Sequence, residues 1–196
     1  MNFSAFISYI LLTAYTPGPN NIMALSNAGR YGFRKAFRFI LGVLLGFLID
    51  MILCAVLTSL LYSVLPAVKP VMLCIGAAYI LFLAFSVWRD KPHAAAGPAQ
   101  TNSAISGMLL QFVNVKVLLY GITAMSSFIL PHYRSPVSVA LFVLLLTMNG
   151  FVGTCVWAAF GAAFEKLFRK YGKLLNTVMA LLLVYCAASM VWEIWK

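Results

Sequence analysis

Residues Phe39–Leu61 read FILGVLLGFLIDMILCAVLTSLL, an apolar run with a single charge, Asp50. At 1.5 Å of rise per residue, about 20 such residues cross the ~30 Å hydrocarbon layer of a bilayer. Runs of the same kind recur at Val68–Val87, Val137–Phe160 and Leu174–Trp195. Two others are interrupted. Phe3–Thr16 halts at Pro17-Gly18-Pro19-Asn20-Asn21 and resumes from Ile22 to Ala28, and Ile105–Leu130 carries Gln111, Asn114 and Lys116 in its first half. The pattern predicts an all-α integral membrane protein with six transmembrane helices, spans 1 and 4 being interrupted.

Composition points the same way. The 196 residues are 63% hydrophobic and only 9% charged, with a formal charge of +10. Soluble domains carry roughly 25% charged residues, so a soluble globule and a disordered chain are both excluded, and six spans leave no room for a separate soluble domain. Basic residues cluster beside span ends: Arg30, Arg34, Lys35 and Arg38 in loop 1, Arg89 and Lys91 in loop 3, and Lys166, Arg169, Lys170 and Lys173 in loop 5. Opposite them stand only Lys69, Arg134 and Lys196. The positive-inside rule then makes loops 1, 3 and 5 cytoplasmic and both termini periplasmic. Anionic headgroups of the lipid bilayer, rather than nucleic acid, are the expected neighbours of this charge. The first fourteen residues hold no Lys or Arg and no small-residue cleavage site follows, so the first span is expected to be retained.

The Pro/Gly-containing stretch 91–104 reads as a linker between a three-span half at 1–90 and another at 105–196, together forming a single membrane domain. Each half begins with its interrupted span, and an odd number of spans precedes the second half, so the two insert in opposite senses. That is the pattern of two inverted three-helix repeats, whose paired breaks meet near the bilayer midplane around a binding site. Two unrelated kinks are the alternative.

In the first break Pro17 and Pro19 remove backbone donors, and Gly18 accepts almost any backbone geometry. Freed peptide groups within a bilayer must face protein or trapped water. Thr13, Thr16, Asn20 and Asn21 bring hydroxyls and amides beside them, and a half-helix starting near Asn20 would direct its positive end at an anion. This suits a small zwitterion; a kink with Asn as a cap is the alternative. In the second break Gln111 and Asn114 share a helical face, while Lys116 either snorkels to the cytoplasmic interface or serves substrate or coupling. Asp50, buried mid-span, must be protonated, paired or beside water; pairing with Lys116 and proton exchange are both open. Asn149 is a further candidate lining residue. Gly42, Gly46, Gly150 and Gly153 read as close helix packing, with an oligomer possible but unsupported. Tyr62, Trp88, Tyr133, Trp192 and Trp195 sit at span ends as interfacial anchors.

Cys54, Cys74, Cys155 and Cys186 lie inside spans without CxxC spacing, His93 and His132 fall in loops, and no hydrolase, zinc or phosphate-loop motif occurs. No metal, cofactor or enzymatic activity is expected, and a solute moved uphill would need a gradient to drive it.

Thr16-Pro-Gly-Pro-Asn-Asn21, the basic Gly32-Phe-Arg-Lys35 loop and six spans near 200 residues resemble the lysine exporter and homoserine exporter superfamily of bacterial inner-membrane proteins, over essentially the whole chain. Gln111-Phe-Val-Asn-Val-Lys116, then Leu118-Leu-Tyr-Gly121, and the late Leu181-Leu-Leu-Val-Tyr-Cys186 look most like its cysteine and O-acetylserine exporting branch. The resemblance implies proton-driven export of small neutral amino acids, cysteine and O-acetylserine foremost, with Pro17, Gly18, Pro19, Asn20, Asn21, Asn114 and Lys116 at the substrate site; the polar groups of Thr16 and Gln111 at the two breaks complete the expected set. Much of the superfamily has Asn-Pro-Lys where this chain has Asn114-Val115-Lys116, so no proline demands a sharp kink there. Asp50 replaces an apolar residue of that branch. A carrier of another cargo or direction is the nearest alternative, and a membrane-embedded enzyme or assembly subunit the alternative of a different class.

Overall fold

The computed structural model describes residues 1–89 and 102–192, and every regular element among them is helical. In order these are α1 (Phe3–Tyr15), α2 (Pro19–Tyr31), α3 (Phe33–Arg89), α4 (Ala104–Val113), α5 (Val115–Thr123), a π-helical turn (Ala124–Ile129), α6 (Pro136–Ala163) and α7 (Glu165–Trp192). The expected linker lies outside the described residues as far as Thr101, as do His93, Trp195, Lys196 and the side chains of Tyr62 and Lys69.

Helical geometry fails within α3 at Leu57 (φ −109°, ψ 16°), which sets Phe33–Thr58 apart from the later apolar helix Leu73–Arg89. Phe33–Thr58, Pro136–Ala163 and Lys170–Ser189 are each long and apolar enough to cross a membrane. Ala104–Val113 and Val115–Ile129, bent by 63°, make a fourth span if taken as one. Among the described residues the number stops short of six because the other pieces are short. α1 and α2 have 13 residues each, and α2 carries Asn20, Asn21, Ser26, Asn27 and Arg30.

The first break is narrower than its sequence suggests. Pro19 opens α2 instead of interrupting it, because the first turn of a helix needs no proline N–H. Asn20 and Asn21 therefore belong to that first turn, and only Thr16–Gly18 is non-helical.

α6 buries Val143 and Leu146 but turns many of its large apolar side chains outward. Val137, Leu141, Leu144, Met148, Val152 and Phe160 are exposed, whereas Thr147, Gly150, Gly153, Thr154 and Gly161 are buried. Large apolar side chains facing outward suit lipid, and small residues facing inward let helices approach closely. The chain is a multi-pass membrane protein. Added Cβ atoms at Gly42 and Gly107 would strike the Ala104 and Phe39 carbonyls, so α3 and α4 touch backbone to backbone. Gly161 meets the Leu25 carbonyl in the same way and joins α6 to α2.

Two apolar clusters fill the bundle. One gathers Met23, Phe39, Ile80, Leu83 and Leu183, the other Phe6, Met51, Met125, Ile129 and Leu146. Along the first limb of α3 the change from one to the other falls between Val43 and Phe47, and along α6 between Leu146 and Ala158. The two breaks lie at this same boundary, between Ile10 and Ile22 and between Leu110 and Val117.

Candidate functional site

The site is built around backbone groups that the breaks set free. A helix leaves its last four carbonyls without intrahelical partners, and inside a bilayer each must find another. At the end of α1 all four do so through side chains. Thr13 O accepts from Thr16 Oγ1 (3.0 Å), Ala14 O from Asn21 Nδ2 (3.0 Å), and Tyr15 O from the Trp157 indole (3.2 Å). Thr16 O accepts from both Asn21 Nδ2 (2.9 Å) and Lys116 Nζ (3.0 Å).

Lys116 thus reaches the first break from the second. Its ammonium also donates to Thr16 Oγ1 (2.9 Å) and Pro17 O (3.5 Å). A cation at the C-terminal end of α1 is favoured by the helix dipole as well as by these bonds. Of the two roles open to Lys116, the geometry shows it turned toward the break rather than away to an interface.

Asn114 makes the second break, bent by 63°, although no proline demands a kink there. Its backbone N–H turns back to Gln111 O (3.0 Å), closing α4. Its side-chain Oδ1 accepts from Lys116 N (3.2 Å), opening α5. Asn competes for backbone partners in this way, which is why it favours helix ends over helix interiors.

The breaks meet through three buried amides. Asn20 Nδ2 donates to Gln111 Oε1 (2.8 Å), and Gln111 Nε2 donates back to Asn20 Oδ1 (3.1 Å). Asn114 Nδ2 donates to the same Asn20 oxygen (3.1 Å), and Gln111 Nε2 also reaches Gly107 O (3.1 Å). The N-terminal ends of α2 and α5 lie beside this cluster, giving two positive dipole ends near one another.

A cavity of about 40 Å³ lies here, lined by Thr13, Gly18, Asn20, Asn21, Phe47, Asn114, Lys116, Tyr120 and Thr154. A water needs roughly 10–15 Å³ by the same measure, so the space has room for a few waters. A larger cavity of about 430 Å³ shares Thr13, Gly18, Asn114, Lys116 and Tyr120 with it and extends to Tyr9, Cys186 and Ser189. Lys116 and its neighbours form the wall between the two.

Of the residues singled out in the sequence, Thr16, Pro17, Gly18, Pro19, Asn20, Asn21, Gln111, Asn114 and Lys116 come together here. Asp50 stands apart: it lines neither cavity and is not paired with Lys116. Asn149 donates to Ile10 O (2.9 Å) and to the Tyr120 hydroxyl (3.3 Å), bracing the wall from α6. Sequence reasoning misses Tyr9, Phe47, Tyr120, Thr154 and Trp157. Trp157 and Tyr120 sit within apolar runs, where only their polar ring atoms hint at a buried partner.

A helical membrane bundle whose two helix breaks meet at a small cavity lined by amides, a hydroxyl and an ammonium fits a translocator. The sequence narrows the class: the LysE type translocator family profile matches residues 11–193, and the chain belongs to that family. It is 45% identical over 190 residues, 97% of each chain, to a cysteine/O-acetylserine efflux protein of Klebsiella pneumoniae subsp. pneumoniae. Proteins of that same name from Escherichia coli K12 and Shigella flexneri are each 46% identical over 184 residues, 94% of each chain. These relatives are efflux proteins, not enzymes. No solved structure matches the chain.

Proposed function

We propose that this protein exports small neutral amino acids, cysteine and O-acetylserine foremost, from the cytoplasm across the bacterial inner membrane, driven by the proton gradient. The observation that carries the proposal is the meeting of the two breaks: Asn20, Gln111 and Asn114 joined side chain to side chain, with Lys116 seated on Thr16. The names of the relatives support the cargo and the direction.

A zwitterion offers a carboxylate and an amine. The carboxylate suits the N-terminal ends of α2 and α5 and the Lys116 ammonium; the amine suits the carbonyls of Thr16 and Pro17 that Lys116 now occupies. Cargo binding would therefore exchange one set of partners for another without leaving buried groups unpaired. Thr16, Pro17, Gly18, Pro19, Asn20, Asn21, Gln111, Asn114 and Lys116 form the proposed substrate site.

The proposed framework is six spans in two inverted halves, 1–90 and 105–196, with loops 1, 3 and 5 cytoplasmic and both termini periplasmic. The bent pair α4–α5 and the broken pair α1–α2 support it, as the leading span of each half. Rocking of one half against the other would open the small cavity to each side in turn.

The test measures release of labelled cysteine and O-acetylserine from cells expressing the protein or its Asn20→Ala variant at equal membrane levels, with and without an uncoupler. Release that needs both Asn20 and the gradient is expected. No release above control cells would overturn the proposal.

A further inference from the structure

Asp50 takes no part in the contacts between the breaks, yet it is only 1% exposed and neither carboxyl oxygen has a hydrogen-bond partner among the described residues. Its neighbours on the same face of α3 fix its level. One turn earlier, a Cβ on Gly46 would come within 2.9 Å of Met108 O and 2.7 Å of Gln111 Cγ. One turn later, Cys54 Sγ lies 3.9 Å from Leu118 O. Asp50 therefore stands between the end of α4 and the first turns of α5, across from the Asn114 break.

Among the described residues no cation comes to meet it. α4 and the π-helical turn hold no titratable side chain, and α6 holds only Cys155. α5 brings Tyr120, whose hydroxyl is bonded by Asn149, and Lys116, whose ammonium is held by Thr16. α7 brings Cys186, which lines the larger cavity with Lys116, α2 has Arg30 and Tyr31 at its distal end, and α3 itself adds Cys54. An ionised carboxylate would be uncompensated here, and such a charge is strongly disfavoured away from water.

We infer that Asp50 is a proton-controlled latch on the closed packing of α3 against α4 and α5, an inference that rests on the transport reading above. The closed arrangement accepts the neutral acid. When the proton leaves to water, the carboxylate needs either water or Lys116, and both require this interface to open. A group that is neutral in one conformation and charged in the other ties the conformational equilibrium to pH.

The test uses the purified full chain in liposomes with labelled cysteine under reducing conditions. One arm follows exchange against unlabelled cysteine at equal pH; the other follows net movement driven by an imposed pH gradient. Asp50→Asn, nearly the same shape, is expected to keep exchange and to lose about tenfold of the gradient-driven movement, with Asp50→Glu restoring it. Gradient-driven movement unchanged in Asp50→Asn overturns the inference, as does equal loss in both arms, which marks a structural role. Exchange by the unsubstituted protein with no response to the gradient overturns the inference and leaves the carrier reading standing; absence of exchange overturns both.

Discussion

Asn20 and Gln111, 91 residues apart, hold each other through a reciprocal pair of amide hydrogen bonds of 2.8 and 3.1 Å. Both side chains are buried, so neither amide can turn to bulk water when its partner is lost. The pair ties the first break to the second at the level where the two apolar clusters meet.

Gln111→Leu should therefore destabilise the protein by about 1–3 kcal/mol, the usual cost of leaving a buried polar group unpaired. Asn20→Leu should cost at least as much, since Asn114 also donates to Asn20. Combined, the two should cost less than their sum, because neither amide remains to be orphaned. Thermal unfolding of the four proteins in detergent checks this. Strict additivity would mean that the pair contributes nothing as a pair, and transport should stay lost in the double variant whatever its stability.

Lys116→Met keeps the length of the side chain and removes the charge. The Thr16 and Pro17 carbonyls then lose a donor, and the cargo carboxylate loses its cation. A hydrogen bond to a charged group contributes about 1.5–3 kcal/mol, so half-saturation for cargo should rise roughly 10- to 100-fold. Lys116→Arg should not restore it, since the larger planar head must fit beside Gly18, where Lys116 Nζ already lies 3.2 Å from an added Cβ. The concentration dependence of cysteine exchange in liposomes reads both variants.

Much of this arrangement is legible in the sequence, and the reasons are local. Prolines, a glycine and a cluster of amides within apolar runs mark breaks without any knowledge of the fold, so Thr16–Asn21 and Gln111–Lys116 stand out. Whether Lys116 snorkels or turns inward is a tertiary matter, decided by how α1 ends beside α5. The extent of the first break is also hidden, because Pro19 reads equally as a breaker and as a first helical residue. Trp157 and Tyr120 are invisible as site residues: each lies in an apolar run, and its partner, Tyr15 O or Asn149, is on another helix. The bend at Asn114 becomes readable only once its side chain is seen to cap Lys116 N.

Trp157→Phe isolates one of those hidden contacts. It keeps an aromatic ring and removes the donor that satisfies Tyr15 O. The loss should be about 1 kcal/mol in stability. Because the carbonyl next along belongs to Thr16, which holds Lys116, transport should fall more than this small destabilisation explains. A thermal shift with unchanged exchange rate would show that α1 keeps its end in place without the indole.

Three glycines separate backbone strain, steric contact and function. Gly32 has φ +79° and ψ 156°, backbone that essentially only glycine adopts, with nothing within 4 Å of an added Cβ, so Gly32→Ala meets only backbone strain, about 1–3 kcal/mol, and should leave exchange intact. Gly161→Ala drives a methyl group into the Leu25 carbonyl and should be the most damaging to folding, since the α2–α6 contact must part to admit it. Gly18 is extended (φ −167°), a conformation open to any residue, and the nearest neighbour of its added Cβ would be the flexible Lys116 side chain, at 3.2 Å. Gly18→Ala should therefore fold almost normally and still slow transport, by displacing Lys116 from Thr16. Thermal unfolding and exchange measured side by side on the three variants give the comparison, and a Gly18→Ala protein with unaltered exchange would remove Lys116 seating from the account of transport.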